Sequence, residues 1–94
     1  MYQVKNPHKL IIHVKKVGWF KYEILTDYYD KNDEFYARGT EYAYGFNEAQ
    51  KVINNNYIWA IARRKVDSDN IHLDNNTEKY FNIKRFTNPI DIIC

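Results

Sequence analysis

Three consecutive stretches between Lys9 and Phe46 place apolar or aromatic side chains at every second position, and this period limits the fold more than any other feature. A two-residue period is the geometry of a β-strand whose faces meet different surroundings. In KLIIHVKKV (9–17), Leu10, Ile12 and Val14 fall on one face, and His13 and Lys15 on the other. Gly18 then marks a bulge or tight turn into WFKYEILTDYY (19–29), where Phe20, Tyr22 and Ile24 share a face. Asp30-Lys31-Asn32-Asp33 reads as a hairpin loop, because Asp and Asn accept left-handed conformations and bond back to the chain. EFYARGTEYAYGF (34–46) is extended again, with Gly39 kinking or splitting it. Thr40, Tyr42, Tyr44 and Phe46 lie opposite Glu41 and Ala43.

After the strands the period changes. Asn47-Glu48-Ala49-Gln50 has the form of a capping box, and Ala49, Val52 and Ile53 follow at helical spacing. Asn54-Asn55-Asn56 is the expected stop, giving a helix of about two turns that must pack on the sheet. YIWAIARRKV (57–66) reads as the most buried strand, IHL (71–73) as a short one and EKYFNIKRF (78–86) as another. Pro89 limits residues 87–94 to an extended tail or edge strand. The expectation is one α+β domain over residues 1–94. It would be an antiparallel sheet covered by one short helix, in the order ββ(β)αβββ.

One cysteine, Cys94, forms neither an internal disulfide nor a cysteine-based metal site, so the fold must rest on packing. No signal-like segment and no run of about 20 apolar residues is present, which excludes a membrane span and points to the cytoplasm. No glycine-rich phosphate loop, nucleophile elbow or HExxH is found, and His8, His13 and His72 have no partner visible in sequence. Asp30, Asn32, Glu34 and Glu41 match a calcium-loop frame in part, but Phe35 stands where its turn needs glycine. A non-enzymatic protein with no metal and no cofactor is the expectation.

Six of the nine tyrosines lie in residues 22–46, with six acidic residues against two basic. That segment carries −4 and leaves +6 on the rest of the chain. Tyrosine suits contact surfaces, and acidic neighbours would steer towards a basic, nucleic-acid-handling protein. Asp27, Tyr28, Tyr29, Asp30, Glu34, Tyr36, Tyr42 and Tyr44 are therefore the candidate protein-binding residues. Arg63, Arg64, Lys65, Lys84 and Arg85 form the alternative, an RNA or single-strand contact through cationic strand ends. Phosphate would be repelled from the tyrosines by their acidic neighbours. The apolar tail Ile90, Ile92 and Ile93 could pair with a twin chain, giving a homodimer, or with a partner in a larger complex.

Ile, Asn, Lys and Tyr, all with A/T-rich codons, are abundant, while Leu occurs only three times. With that bias, Val17-Gly18-Trp19-Phe20-Lys21 after a first strand and a helix opening Asn47-Glu48-Ala49 resemble the layout of small phage and mobile-element proteins. These are proteins that block host defence, such as anti-CRISPRs and phage antitoxins. The resemblance implies an inhibitor that occludes a host defence protein in the host cytoplasm.

Overall fold

A computed structural model describes residues 7–83. Strands β1 (Lys9–Lys16), β2 (Lys21–Tyr29) and β3 (Phe35–Tyr44) form an antiparallel meander. Helix α1 (Phe46–Arg64) follows, then β4 (Ile71–Leu73). Single 3₁₀ turns occupy Ser68–Asn70 and Thr77–Lys79. The sheet order is β3-β2-β1-β4, and one helix packs on one face: an α+β fold.

The sheet is mixed rather than antiparallel. β4 lies beside β1 in parallel, with Leu10 opposite Ile71 and Ile12 opposite Leu73. Connectivity accounts for this. A parallel neighbour needs a long crossover, and α1 supplies one by carrying the chain back before β4 begins.

Leu10, Ile12, Ile24 and Ala43 from the strands meet Ala49, Ile53, Tyr57 and Ala60 from α1 in a buried core. Ile71 and Phe81 close it. Enclosing a side chain such as Ile53 contributes about 1.5–3 kcal/mol. Strand register fixes the other members of the helix-side face. Tyr28, Thr26, Ile24 and Tyr22 stand opposite Leu10, Ile12, Val14 and Lys16.

The largest departure from sequence expectation is α1, which runs 19 residues through Asn54-Asn55-Asn56. The segment 57–66 is thus mainly helix, not strand. Its buried positions, Ala49, Ile53, Tyr57 and Ala60, recur every three or four residues, one stripe across the whole element. Packing of that stripe outweighs the modest helix preference of Asn, roughly 0.7 kcal/mol per residue below Ala. The capping box does not form either. The helix starts one residue before Asn47, from Gly45, with no side-chain cap. Gln50 instead ties down the later chain: its amide donates to the Asn82 carbonyl at 2.6 Å and its oxygen accepts from the Asn82 N–H at 3.1 Å.

Gly45 has φ 95° and ψ 154°, a conformation that essentially only glycine adopts without strain. Its N–H donates to the Phe20 carbonyl at 2.7 Å, which fixes the turn from β3 into α1 against the β1–β2 turn. The hairpin loop forms as expected. An Asp30 carboxylate oxygen accepts from the N–H groups of Asn32 and Glu34 at 2.9 and 3.1 Å. Gly39 neither splits nor ends β3; it lies opposite Thr26 with the Tyr28 ring above it. The irregularity in β3 comes at its start, where the register shifts between Tyr28 and Tyr29 and leaves Tyr36 as an extra residue. Residues 78–83 form a 3₁₀ turn and irregular chain instead of a strand, with Phe81 buried against Phe46. Residues 84–94, including the expected tail, lie outside the described residues.

Candidate binding surface

α1 covers one face of the sheet, and the alternation of β1, β2 and β3 sends a second set of side chains to the other face. The strands contribute Lys9, Ile11, His13 and Lys15 from β1 and Lys21, Glu23, Leu25, Asp27 and Tyr29 from β2. Phe35, Arg38, Thr40, Tyr42 and Tyr44 come from β3.

A chain of ionisable groups crosses this open face. Asp27 and Arg38 are directly opposite each other on β2 and β3, and their side chains make two bonds, at 2.5 and 3.0 Å. His13 on β1 stands between two carboxylates. Its Nε2 lies 2.9 Å from Asp27, and its Nδ1 bonds Asp74, just beyond β4. Ionised carboxylates only accept, so the ring satisfies both when each of its nitrogens carries a proton. Asp74 also accepts from the Thr77 N–H at 2.7 Å, and the Thr77 hydroxyl accepts from the Val14 N–H at 2.8 Å. The Arg38 bond, helped by His13, holds the Asp27 carboxyl below its ordinary value of 3.8 against the opposing effect of burial. Burial pushes Asp74 up, but its bonds to Thr77 and His13 prevail and its pKa is lowered.

Asp27 is 3% exposed, so it is a buried clamp between strands rather than a surface charge that could steer a partner. Asp30 organises the hairpin loop, and Asp33 pairs with Lys9. Of the three candidate acids, only Glu34 stands exposed. The candidate tyrosines divide between faces. Tyr29, Tyr42 and Tyr44 are on the open face. Tyr28 and Tyr36 turn to the helix side, where they line a cleft of about 130 Å³ with Trp59 and Arg64. Burial raises the Tyr28 hydroxyl pKa.

Arg63, Arg64 and Lys65 sit at the C-terminal end of α1, not on a strand end, and Arg64 lies over the Trp59 ring at 4.7 Å. Lys84 and Arg85 lie outside the described residues.

Folding also removes the acidic character expected around the tyrosines. Lys9, Lys15, Lys21 and Arg38 share the open face with them, and three of these cations cover rings. Lys9 lies over Tyr29, Lys21 over Tyr42, and Arg38 over Phe35, at 4.9, 4.5 and 5.6 Å. Tyr42 donates to Glu23 at 3.2 Å, and this bond raises its pKa.

A second grouping was not visible as a site in sequence. The bond from Gly45 to Phe20 joins the β1–β2 turn to the start of α1, so the backbone brings four aromatic residues to one end of the sheet, Tyr44 on the open face and Phe46 stacked on Phe81 on the helix side. Trp19 is 85% exposed there, Phe20 65%, Tyr44 63% and Phe46 46%. Behind this end, Val14, Tyr22, Phe46, Tyr80 and Phe81 line a cleft of about 310 Å³ with Lys16 at its margin. Exposed large rings in one place mark an interaction surface more strongly than scattered ones. Sequence alternation sets Phe20 on a face with Tyr22 and Ile24, and Phe46 on a face with Tyr42 and Tyr44; their grouping at one end depends on a long-range hydrogen bond.

Among the described residues, no cluster of His, Cys, Asp and Glu has the arrangement of a metal site, and no helix is long and apolar enough to cross a membrane. No family model, curated protein or solved structure matches the chain.

Proposed function

We propose that this chain is a non-catalytic binding protein that acts by covering a surface of a partner protein, with Trp19, Phe20, Tyr44 and Phe46 as its anchors. The observation that carries this reading is their joint exposure at one end of the sheet. Trp and Tyr dominate the energetics of protein contacts because they remove a large rigid area from water. The specific form of the proposal is an inhibitor of a nucleic-acid-handling host defence protein, encoded by a phage or mobile element. Support for that form comes from the A/T-biased composition and the layout of the Val17–Lys21 turn. The ionised side chains of Asp27 and Asp30 are engaged within the fold, so recognition rests on aromatic burial more than on acidic steering.

The test is a tagged pull-down from bacterial lysate, with and without nuclease, comparing the parent with Trp19→Ser/Tyr44→Ser. A stoichiometric protein that survives nuclease and is lost with the variant is the expected result. A partner retained equally by both chains would contradict the assignment.

A second reading has its own observation: four cations and four aromatic residues share the open face, with Lys15 and Lys21 outside the ion pairs that hold Lys9 and Arg38. That mixture suits single-stranded nucleic acid, where bases stack and phosphates meet cations. It expects RNA binding that weakens steeply with salt and falls on Lys15→Gln/Lys21→Gln. Salt-insensitive binding, or none, removes it.

A further inference from the structure

β3 is an edge strand of ten residues whose one bulge lies at its start, at Tyr36; from Ala37 to Tyr44 it is regular and contains neither proline nor lysine, two of the residues that blunt a sheet edge. Among the described residues, nothing pairs with its outer side. The direction of its backbone groups follows from the ladder with β2. Gly45, in register with Phe20, donates to the Phe20 carbonyl, so residues alternating back from it, Ala43, Glu41 and Gly39, bond inward. Arg38, Thr40 and Tyr42 then present their N–H and C=O groups outward. The Tyr44 N–H, one step further along, is met by the Glu48 carboxylate at 3.4 Å, which closes that end of the edge.

We infer that β3 pairs antiparallel with β3 of a second copy of this chain, about a twofold axis at Thr40, joining two sheets into one of eight strands. This goes beyond the binding function proposed above and does not depend on it. Three outward residues spaced two apart are self-complementary in one register. Thr40 faces Thr40 of the second copy, and Arg38 faces its Tyr42, so all six outward backbone groups of each strand are engaged. Registers centred on Arg38 would bring two guanidinium groups together, which directly opposed like charges disfavour. In the Thr40 register a cation faces a ring instead, twice over. On the helix side the directly opposed residues are Gly39 and Glu41, and Ala37 and Ala43, so no bulky pair blocks the approach.

Sedimentation velocity from low micromolar to about 1 mM chain should show a concentration-dependent dimer. Thr40→Lys sets two like charges face to face at the axis without touching an inward hydrogen bond, and should weaken the dimer about fivefold or more. Thr40→Pro removes an outward donor and should act in the same direction. Circular dichroism and melting of Thr40→Lys unchanged from the parent would show that the fold is intact.

In a Cys94→Ser background, Thr40→Cys should cross-link under oxidation. Directly opposite residues of a hydrogen-bonded pair have Cα atoms about 5.5 Å apart, within disulfide range. Tyr44→Cys, with its twin more than about 20 Å away, should not cross-link. A chain that stays monomeric throughout would overturn the inference. So would a dimer that tolerates Thr40→Lys or links as well through position 44.

Discussion

Asp27 links three strands through one carboxylate, bonding Arg38 on β3 and His13 on β1 from its place on β2. Replacing it with Asn removes the charge-assisted part of those bonds while keeping the size. Because Arg38 is half-exposed, solvent screening limits the loss to about 1–2 kcal/mol. The pH dependence follows from the lowered pKa values of Asp27 and Asp74. A carboxylate whose folded pKa lies below its unfolded value stabilises the protein above the unfolded value, 3.8, and loses that contribution as pH falls through the folded one. Urea midpoints should therefore separate parent and Asp27→Asn at pH 7, and the gap should narrow as pH falls below 3.8. A gap that persists in acid would mean the cost is packing rather than charge. Lys65 gives a residue-scale prediction of opposite sign. It ends α1 at φ 58°, a left-handed conformation that favours glycine, so Lys65→Gly should stabilise by about 0.5–1 kcal/mol in thermal melts.

At the scale of elements, the turn into α1 and the length of α1 are the points to test. Gly45→Ala meets no atom within 4 Å, so any cost comes from the backbone conformation alone, about 1–3 kcal/mol in urea titration. Asn55 is exposed in the middle of α1, where Asn55→Ala should stabilise by about 0.5 kcal/mol. Were residues 54–56 a turn before a strand, the same change would destabilise. The strands were legible from sequence because each is bounded by turn residues and alternates against one core face, as Leu10, Ile12 and Ile24 do. The helix was half legible. YIWAIA is a short apolar run, and such a run fits a buried strand or a helix equally until its neighbours are known. Ala49 and Ile53 belong to the same stripe as Tyr57 and Ala60, but three intervening asparagines hid the continuity.

Across the whole molecule, charge in a segment is not charge on a surface. Residues 22–46 are acidic as a stretch, yet β1 brings Lys9 and Lys15 to the same face. Arg38 neutralises Asp27 there as well. Sequence located Tyr42 and Tyr44 on one strand face, which the pairing bears out. It did not separate Tyr36 from them, because the bulge at the start of β3 cannot be read from alternation; Tyr28 shares the parity of Tyr22 and Ile24, so its helix-side position was legible in β2 and was missed. The aromatic end depends on contacts between residues 25 positions apart, beyond any local pattern. With the captured partner in hand, the decisive measurement is acrylamide quenching of Trp19 fluorescence in a Trp59→Phe background, where Trp19 is the single tryptophan. The free chain should quench readily, since Trp19 is almost fully exposed, and the complex should show a blue shift and protection of several-fold. A Trp19 that quenches as freely in the complex as alone would place the contact elsewhere.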